Sequence, residues 1–456
     1  MIKRFSILDC FNNIIREVKE MKSNIKRQPK ILIFTVSSWN SKIGSNTWAS
    51  LLEGYSNAKL ANICIREEYP DSDVCSRYFR ISENRIIKSI FNYNIQTGQE
   101  IKKSLKANIE INSDLKEHNV RYKIMKKRKS YILLMVREIV WKIGKWKTLE
   151  LDNFLDDFKP DIILHSMEGY IHLNRIVEYS IKRTKAKSIG YIWDDNFTYK
   201  QSHNLGYRIY RFFQRKSLKK LASITNSFFA ITEQTKKEAD KYFGINCTVL
   251  TKPLIEIPTY TQKKIQFPIK ILYTGKLIIG RDITILKIVN SIKRINSERK
   301  KLIQLDIYTN SHVSKEYIKN ISNSMCKIYP AVTQKEVQLL QKKADILLFV
   351  EALDGEESQI ARLSFSTKIT DYFSTGNCIL AVGNKETAPM DYFIKNNSAL
   401  VAYDEKTLNK VLNMIIEKPD IINEVSKNSI EIANLNHNPL KIKQIFWGVI
   451  EEILKI

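Results

Sequence analysis

Short apolar runs alternate with amphipathic stretches along most of this chain. A short run rich in Ile, Leu, Val and Phe is typical of a strand buried on both faces, whereas apolar positions three or four apart are typical of a helix. In the first half of the chain, the apolar runs occupy residues 31–36, 161–165, 188–193, 228–231 and 248–250. Helical periods lie between these runs, and such alternation predicts a mostly parallel sheet with helices on both faces.

A polar stretch then interrupts the pattern. Three of the ten prolines, Pro253, Pro258 and Pro268, lie within it, where neither a helix nor a sheet interior would accept them. Beyond this stretch the alternation begins again. Strands are predicted at 269–274, 305–308, 344–350 and 378–382, and helices at 283–297, 335–343, 368–374 and 440–456. We therefore predict an α/β protein with two doubly wound, Rossmann-like domains in series.

The domain boundaries follow from these changes of pattern. We assign 1–29 to an N-terminal amphipathic helix, 30–252 to the first domain, 253–268 to a linker, 269–435 to the second domain and 436–456 to a C-terminal helix. The basic N-terminal helix either packs on the body of the protein or lies on a membrane surface. Doubly wound sheets bind ligands at the carboxyl ends of their strands, so two such domains facing across a cleft suit an enzyme that joins two substrates.

The composition is globular, with 43% hydrophobic and 27% charged residues among 456, which excludes a disordered polymer. No apolar stretch reaches the ~18 residues that a membrane-spanning helix requires. The six cysteines are scattered without a CxxC pair, a pattern that favours buried thiols in a reducing compartment. We therefore expect a cytoplasmic protein. The net charge of +26 attracts polyanions, whether nucleic acid, anionic lipid or phosphorylated substrates.

One group of candidate binding residues follows the first strand of the second domain. Gly275 ends that strand without a side chain, which lets the backbone approach a ligand. Lys276 comes next, and Arg281 lies where the following helix begins. Two cations at a helix N-terminus suit a pyrophosphate. Taken alone, the segment has another interpretation: a solvated lysine and an arginine that caps a neighbouring carboxylate.

A second group lies about ninety residues further along the chain. Ser366 and Thr367 are natural N-caps for a helix that begins near Lys368, and the open N–H groups there suit phosphate oxygens. Asp371, one turn into this helix, is placed to accept hydrogen bonds from ribose hydroxyls, as an acidic residue does in dinucleotide folds. Together, the two groups predict a site for a nucleoside diphosphate.

The two segments resemble the C-terminal half of GT-B glycosyltransferases, in particular the large retaining family of bacterial surface-polysaccharide enzymes. That family carries Gly-Arg-Leu, three residues and Lys; here Gly275-Lys276-Leu277 and Arg281 fit with the two basic types exchanged. A second family motif is matched by Thr367-Lys368-Ile369, Asp371-Tyr372 and Gly376, with Asp in place of Glu. The resemblance covers about residues 30–456.

The resemblance implies a GT-B fold whose C-terminal helix crosses back to the first domain. It implies transfer of a sugar from a nucleotide-diphosphate donor to a glycan or polyprenyl-linked acceptor, with no cofactor and no bound metal, because the cations neutralise the leaving group. Gly44 would lie against the donor. One departure concerns a glutamate that the family often carries eight residues before Asp371. Leu363 occupies that position, and Glu356 and Glu357 in the preceding loop are possible substitutes. The anomeric outcome therefore stays open.

The first domain offers fewer signals. Asp194 and Asp195 follow a predicted strand, and either aspartate could activate or orient an acceptor hydroxyl, while Asp194 could equally cap a turn. His165 ends another strand, where an interior histidine is expected. Asp71-Ser-Asp73 spells a metal-binding motif, but no apolar strand precedes it, so a loop is expected.

Positive charge is concentrated around residues 115–150, where Lys126, Lys127, Arg128 and Lys129 are consecutive. The next segment carries an apolar stripe, Ile132, Val136, Ile139 and Ile143, with Trp141 and Trp146 beside it. The pattern indicates either a helix lying on an anionic membrane surface or a core helix next to a solvated basic loop. A second basic helix, at 208–220, could face an anionic acceptor.

These observations favour a membrane-peripheral glycosyltransferase over two alternatives. A GT-B-shaped sugar-nucleotide 2-epimerase would convert the donor without an acceptor. A basic nucleic-acid-binding protein would use the net charge, but no reading motif or aromatic platform supports it, so no nucleic-acid partner is expected. The GxGxxG and P-loop fingerprints are absent from the sequence.

Overall fold

A computed structural model describes residues 28–39, 47–67, 69–101, 131–299 and 302–455. The chain divides into two compact units, Met1–Leu250 with Leu440–Ile456, and Thr251–Pro439. The polar stretch with three prolines belongs to the second unit and has no regular secondary structure. Residues 1–27 of the predicted N-terminal helix, Gly44 and the basic residues Lys126, Lys127, Arg128 and Lys129 lie outside the described residues.

The first unit contains an eight-stranded sheet in the order β4-β3-β2-β1-β5-β6-β7-β8, in which only β4 runs antiparallel to its neighbour. The strands are β1 Ile31–Thr35, β2 Leu60–Cys64, β3 Arg77–Ile81, β4 Gly98–Ile101, β5 Ile162–Ser166, β6 Lys187–Ile192, β7 Ser227–Ala230 and β8 Cys247–Val249. The helices of this unit that precede the second unit are α1 Thr47–Leu52, α2 Glu83–Ser89, α3 Tyr131–Ile143, α4 Leu149–Phe158, α5 Ile171–Thr184, α6 Leu205–Ala222 and α7 Glu233–Phe243.

The central strand of this sheet is β1, and all of its side chains are buried. Ile33 faces Asn62 of β2 on one side and Leu164 of β5 on the other, both in parallel register. Asn62 is buried too, and its Nδ2 donates to the carbonyl of Ile33 at 3.0 Å and to Oγ1 of Thr35 at 2.9 Å. These two bonds satisfy the amide nitrogen of a polar side chain inside an apolar sheet.

The second unit contains six parallel strands in the order β11-β10-β9-β12-β13-β14. Counted within the unit this is 3-2-1-4-5-6, the Rossmann order. The strands are β9 Ile269–Thr274, β10 Ile303–Thr309, β11 Cys326–Pro330, β12 Ile346–Val350, β13 Cys378–Val382 and β14 Leu400–Ala402. The helices are α8 Arg281–Arg299, α9 Lys315–Ile321, α10 Gln334–Lys343, α11 Gly355–Ile360, α12 Thr367–Phe373, α13 Ala388–Asn396, α14 Glu405–Glu417 and α15 Ile421–Asn436. A buried core of Ile, Leu and Val side chains joins the sheet to its helices.

The last helix, α16 Pro439–Leu454, packs on the first unit. The ring of Phe446 lies 6.3 Å from that of Trp48 and 5.9 Å from that of Phe229. Trp447 stacks on Tyr55 at 4.8 Å. The predicted return of the C-terminal helix to the first domain is therefore confirmed. Among the described helices, none has the length and apolar character needed to span a membrane.

Candidate functional site

Two loops of the second unit meet where its strand order reverses. Strands β9 and β12 are neighbours in the sheet, and the chain continues from them to opposite sides. Ligands of doubly wound sheets bind at such a switch point, beyond the carboxyl ends of the strands. Gly275 follows β9 and Glu351 follows β12, so both residues lie at this point.

Arg281, the first residue of α8, forms an ion pair with Glu351. Its Nη2 lies 2.9 Å from both carboxylate oxygens, and its Nε donates to Oε2 and to the carbonyl of Val350 at 3.1 Å. The Glu351 side chain is 3% exposed. Burial opposes the charge of the guanidinium, but the adjacent carboxylate outweighs it and raises the pKa of Arg281. The interpretation of Arg281 as the partner of a neighbouring carboxylate therefore holds for Nε and Nη2.

Lys368 brings a second cation to the same strand ends. A Cβ on Gly275 would lie 1.9 Å from Nζ of Lys368, and Gly275 has a φ of +151° that L side chains rarely adopt. The ammonium also lies 4.8 Å from the ring centre of Tyr273, a cation–π distance. Burial and the charge of Arg281 lower the pKa of Lys368 to about 8, although Glu351 opposes the shift. The ammonium is thus held where only a glycine leaves room for it.

Asp371, the predicted ribose ligand, has a partner that is remote in sequence. Nζ of Lys252 lies 2.8 Å from Oδ1 of Asp371 and also donates to the carbonyl of Thr367 at 3.5 Å. The Lys252 side chain is 3% exposed and that of Asp371 is 26% exposed. Asp371 also acts electrostatically on Lys368. The structure therefore brings Asp371, Lys368 and Arg281 into one charged cluster.

The other predicted donor ligands surround this cluster. Lys276 is exposed, and its carbonyl accepts a hydrogen bond from the hydroxyl of Tyr273 at 2.8 Å. Ser366 is the N-cap of α12, and its Oγ accepts from the N–H of Lys368 at 3.4 Å. Thr367 is exposed at the first helical position.

Leu363 is completely buried, so it contributes no polar group to the site. Of the two suggested substitutes, Glu357 packs against the predicted phosphate loop. A Cβ on Gly280, which has a φ of +71°, would meet Cβ of Glu357 at 3.1 Å and Cβ of Ala352 at 2.7 Å. The loop from Gly275 to Gly280 thus packs against the first turn of α11, on which Glu357 lies.

Four adjacent strands of the first unit are also followed by polar residues. Ser37, Arg66, Glu168 and Asp194 each lie two positions after the last residue of β1, β2, β5 and β6, which are neighbours in the sheet. Nη1 of Arg66 donates to Oγ of Ser37 at 3.0 Å. Burial and the charge of Asp194 raise the pKa of Glu168 to about 7, against the influence of Arg66. A carboxyl group that titrates near neutral pH therefore lies at the switch point between β1 and β5.

Asp195, predicted as an alternative to Asp194, serves the local fold. Its side chain is completely buried, Oδ1 accepts from the N–H of Thr198 at 2.9 Å, and Oδ2 accepts from the Thr198 hydroxyl at 2.5 Å. Both carboxylate oxygens are thus used to close a turn. The catalytic role of Asp195 stays a prediction, and its hydrogen bonds with Thr198 favour a structural one, whereas Asp194 is half-buried and acts on Glu168.

The two tryptophans predicted for a membrane surface are also placed differently. Trp141 is completely buried and stacks on His172 with ring centres 4.5 Å apart. Trp146 is half-buried against the ring of Tyr179 at 5.6 Å. Trp141 is therefore a core residue, because α3 turns this side chain towards α5. His165 is an interior residue as expected, and burial lowers its pKa to about 4.

Sequence reasoning missed Glu351, Lys252, Glu168 and Arg66. Glu351 and Glu168 carried a usable signal, because each follows a predicted strand by one to three positions. Arg66 follows a strand that was not predicted, and Lys252 lies in a stretch without regular structure. Among the described residues, no group of three or more His, Cys, Asp and Glu side chains is arranged to hold a metal ion.

No protein-family model matches the sequence, and no curated protein sequence is significantly similar. Several solved structures have a similar fold. HepE from Anabaena in complex with UDP and glucose gives a TM-score of 0.58 at 9% identity, over 93% of this chain and 100% of that chain. The α,α-trehalose 6-phosphate synthase of Burkholderia multivorans gives 0.57 at 8% identity, over 94% and 98%. OtsA in its apo form gives 0.56 at 10% identity, over 94% and 99%.

These similar structures are GT-B glycosyltransferases, and this chain has the GT-B fold. The resemblance carried by the segments around Gly275 and Asp371 is therefore confirmed at the level of the fold.

Proposed function

We propose that the protein is a glycosyltransferase that uses a nucleotide-diphosphate sugar as donor. The observation that carries this proposal is the charged cluster of Arg281, Glu351, Lys368 and Asp371 at the switch point of a Rossmann-like sheet in a GT-B fold. The fold neighbour HepE is described in complex with UDP and with UDP-glucose, which supports a donor of this chemical class.

In this proposal the cations bind the donor diphosphate. Glu351 holds the guanidinium plane of Arg281 through Nε and Nη2, and we assign Nη1 to a phosphate oxygen. Lys276 and Lys368 supply two further donors, and each charged hydrogen bond to a phosphate contributes about 1.5–3 kcal/mol. Their positive charge offsets the negative charge that develops on the leaving diphosphate in the transition state. We therefore expect the reaction to proceed without a protein-bound metal or a cofactor.

The same proposal assigns the nucleoside to α12. Asp371 accepts hydrogen bonds from the ribose hydroxyls, while Lys252 holds the carboxylate in position from the opposite side. Ser366 and Thr367 lie at the start of this helix and contribute hydroxyl and N–H groups. Glu357 takes the place of the glutamate that Leu363 cannot supply, beside the transferred sugar.

We assign the acceptor to the first unit. Glu168, with a pKa of about 7, is partly ionised at neutral pH and is therefore suited to take a proton from an acceptor hydroxyl. Asp194 sustains that pKa through its negative charge, and Arg66 limits the shift. The acceptor proposed is a glycan or a polyprenyl-linked glycan of surface polysaccharide biosynthesis, met at the cytoplasmic face of a membrane.

A thermal-shift screen against UDP-, GDP- and ADP-sugars tests the donor site. Ligand at 100 times its Kd stabilises a native protein by about 2.7 kcal/mol, so the correct donor raises Tm by several degrees. The variant Lys276→Ala should lose most of this increase, because it lacks one of the proposed phosphate ligands. Its Tm without ligand should not change, since the Lys276 side chain is exposed. Lys410→Ala, an exposed lysine on α14, is the matched control.

Two results would overturn the assignment: stabilisation by none of the nucleotide sugars, or equal behaviour of Lys276→Ala and Lys410→Ala. Product analysis with the stabilising donor, with and without an acceptor, separates transfer from 2-epimerisation. Activity that is lost with a chelator and restored by manganese would contradict the metal-independent reaction.

A further inference from the structure

Two helices of the first unit expose large apolar side chains on the same side. On α3 four of the five exposed large apolar residues follow helical spacing as a continuous stripe, namely Ile132, Val136, Ile139 and Ile143. On α6 the corresponding stripe consists of Leu205, Ile209, Phe212 and Phe213. The two helices contact each other, and the rings of Tyr131 and Tyr207 lie 5.7 Å apart. We call these eight exposed side chains the α3–α6 face.

The opposite side of each helix is packed on the unit. Trp141 of α3 is buried against α5, and Leu218 of α6 is completely buried. The α3–α6 face is therefore not a core surface of this unit. Ile132 is 71% exposed and Phe212 is 56% exposed, and contiguous exposure of such side chains marks an interaction site.

The charges beside this face are nearly all positive. Helix α6 contains no Asp or Glu, and its Arg208, Lys216, Lys219 and Lys220 are exposed, as is Lys142 of α3.

The acidic residues nearby are engaged with local partners. Glu138 is buried, and its Oε1 lies 2.9 Å from Nδ1 of His172. Glu178 pairs with Lys182 at 2.6 Å and with Lys220 at 2.8 Å. The face therefore combines exposed apolar side chains with an excess of positive charge, which complements an anionic lipid surface.

A groove of about 560 Å³ opens between α3, α5 and α6. It is lined by apolar side chains that include Ile139, Ile171 and Phe213, by the basic side chains of Lys142, Arg175, Lys216 and Lys220, and by Glu138 and Glu178. Apolar and basic side chains around one groove match a lipid, whose chain is apolar and whose phosphate is anionic, because Glu138 and Glu178 are already engaged with His172, Lys182 and Lys220.

We propose that the α3–α6 face docks on the surface of an anionic phospholipid bilayer, with its apolar side chains among the acyl chains and its basic side chains at the headgroups. This inference identifies the membrane-contacting residues within the proposed function, and it assigns them to the exposed stripes in place of Trp141 and Trp146. It does not depend on sugar transfer, because the donor cluster lies in the other unit.

The test is co-sedimentation of the full chain with two kinds of vesicle. One consists of phosphatidylcholine alone, and the other also contains about 30 mol% of the anionic lipid phosphatidylglycerol, which attracts basic helices. Binding should require the anionic lipid and weaken as salt is raised. The double variant Val136→Ser with Phe212→Ser should bind at least about tenfold more weakly, since each side chain leaves the acyl region. Leu339→Ser, which removes a 59% exposed leucine of the second unit, should bind as the original protein does.

The double variant should keep its Tm and its stabilisation by the nucleotide sugar, which separates failure of this inference from failure of the donor site. Equal binding to both vesicle types, or equal binding of the double variant and the original protein, would overturn the inference. Sedimentation equilibrium supplies a second decisive result. Self-association that the double variant abolishes, without vesicle binding, would assign the face to another copy of the chain.

Discussion

Arg281 and Glu351 are joined across the switch point of the second sheet, with Nη2 of the arginine 2.9 Å from both oxygens of the glutamate. They belong to two neighbouring strand-end loops, since α8 begins at Arg281 and Glu351 follows β12. The pair holds a guanidinium at the place where ligands of this fold bind. The position of the positively charged Arg281 side chain therefore depends on the buried carboxylate of Glu351.

Replacing Glu351 with Gln should therefore destabilise the protein and weaken donor binding together. Removing one member of a buried ion pair costs about 3–5 kcal/mol, and an amide that keeps part of the hydrogen bonding should cost somewhat less. Urea unfolding measures the stability and calorimetry the donor affinity. The control is Asp354→Asn, which removes an exposed pair with Lys287 at 3.2 Å and should cost about 0–1 kcal/mol. Equal costs for the two variants would contradict the structural role of Glu351.

Donor binding should weaken as pH rises through the pKa of Lys368, which is about 8. The protonated ammonium attracts the diphosphate, and a site that must be protonated loses about tenfold in affinity per pH unit above its pKa. Calorimetry between pH 7 and pH 9 should show a fall of about tenfold. Lys368→Arg should remove most of this dependence because arginine stays charged, whereas Lys276→Ala should retain it.

The pKa of Lys368 also has a consequence for stability. Its folded-state pKa lies below the ordinary value of 10.5, so the unfolded chain binds more protons between about pH 8 and 10.5. This residue's contribution to the free energy of unfolding should therefore rise with pH in that window. Lys368→Met should lack the rise, and urea unfolding at pH 7.5 and pH 9.5 would show the difference. An identical pH dependence in both proteins would argue against a lowered pKa of Lys368.

Gly275→Ala should displace Lys368 and lower donor affinity. The added Cβ would lie 1.9 Å from Nζ, and the φ of +151° disfavours alanine. Gly448→Ala offers a matched control, because Gly448 lies on α16 and nothing approaches its Cβ position within 4 Å. That control should stabilise the protein by about 0.5–1 kcal/mol. Undiminished donor binding by Gly275→Ala would place the diphosphate elsewhere.

The loss of transfer rate at low pH should follow the protonation of Glu168. Asp194→Asn removes a charge that raises the pKa of Glu168, so that pKa should fall from about 7 and the limb should move to lower pH. Glu168→Gln should reduce the turnover rate about 100-fold or more while donor affinity stays unchanged. Asp195→Asn should lower Tm without moving the pH profile, because Asp195 bonds to Thr198. A profile that Asp194→Asn leaves unmoved would assign the base to another group.

Each unit's central strands could be predicted because they are buried on both faces. Strands β12 and β13 are continuous apolar runs and β1 is apolar up to its last residue, and parallel sheets covered by helices produce such runs.

Strand β3, near one edge of the first sheet, escaped prediction for an equally physical reason. Strand β3 contains Arg77 and Arg80, and the buried Arg80 is accommodated by Glu67 at 3.5 Å and by the ring of Tyr69 at 4.9 Å. Both partners lie in the loop that precedes β3, so the pattern of hydrophobicity within the strand does not contain them.

By itself, the amino-acid sequence determined the alternation of strands and helices, the break between two Rossmann-like halves and two of the segments that carry the charged cluster. These features depend on local spacing and on residue type at strand ends. Only the tertiary structure decided that Arg281 meets Glu351, that Asp371 meets Lys252 from 119 residues away, and that Trp141 is buried while Ile139 of the same helix is exposed. Helical periodicity shows which residues share a face, but which face is covered depends on helices that arrive from elsewhere in the chain.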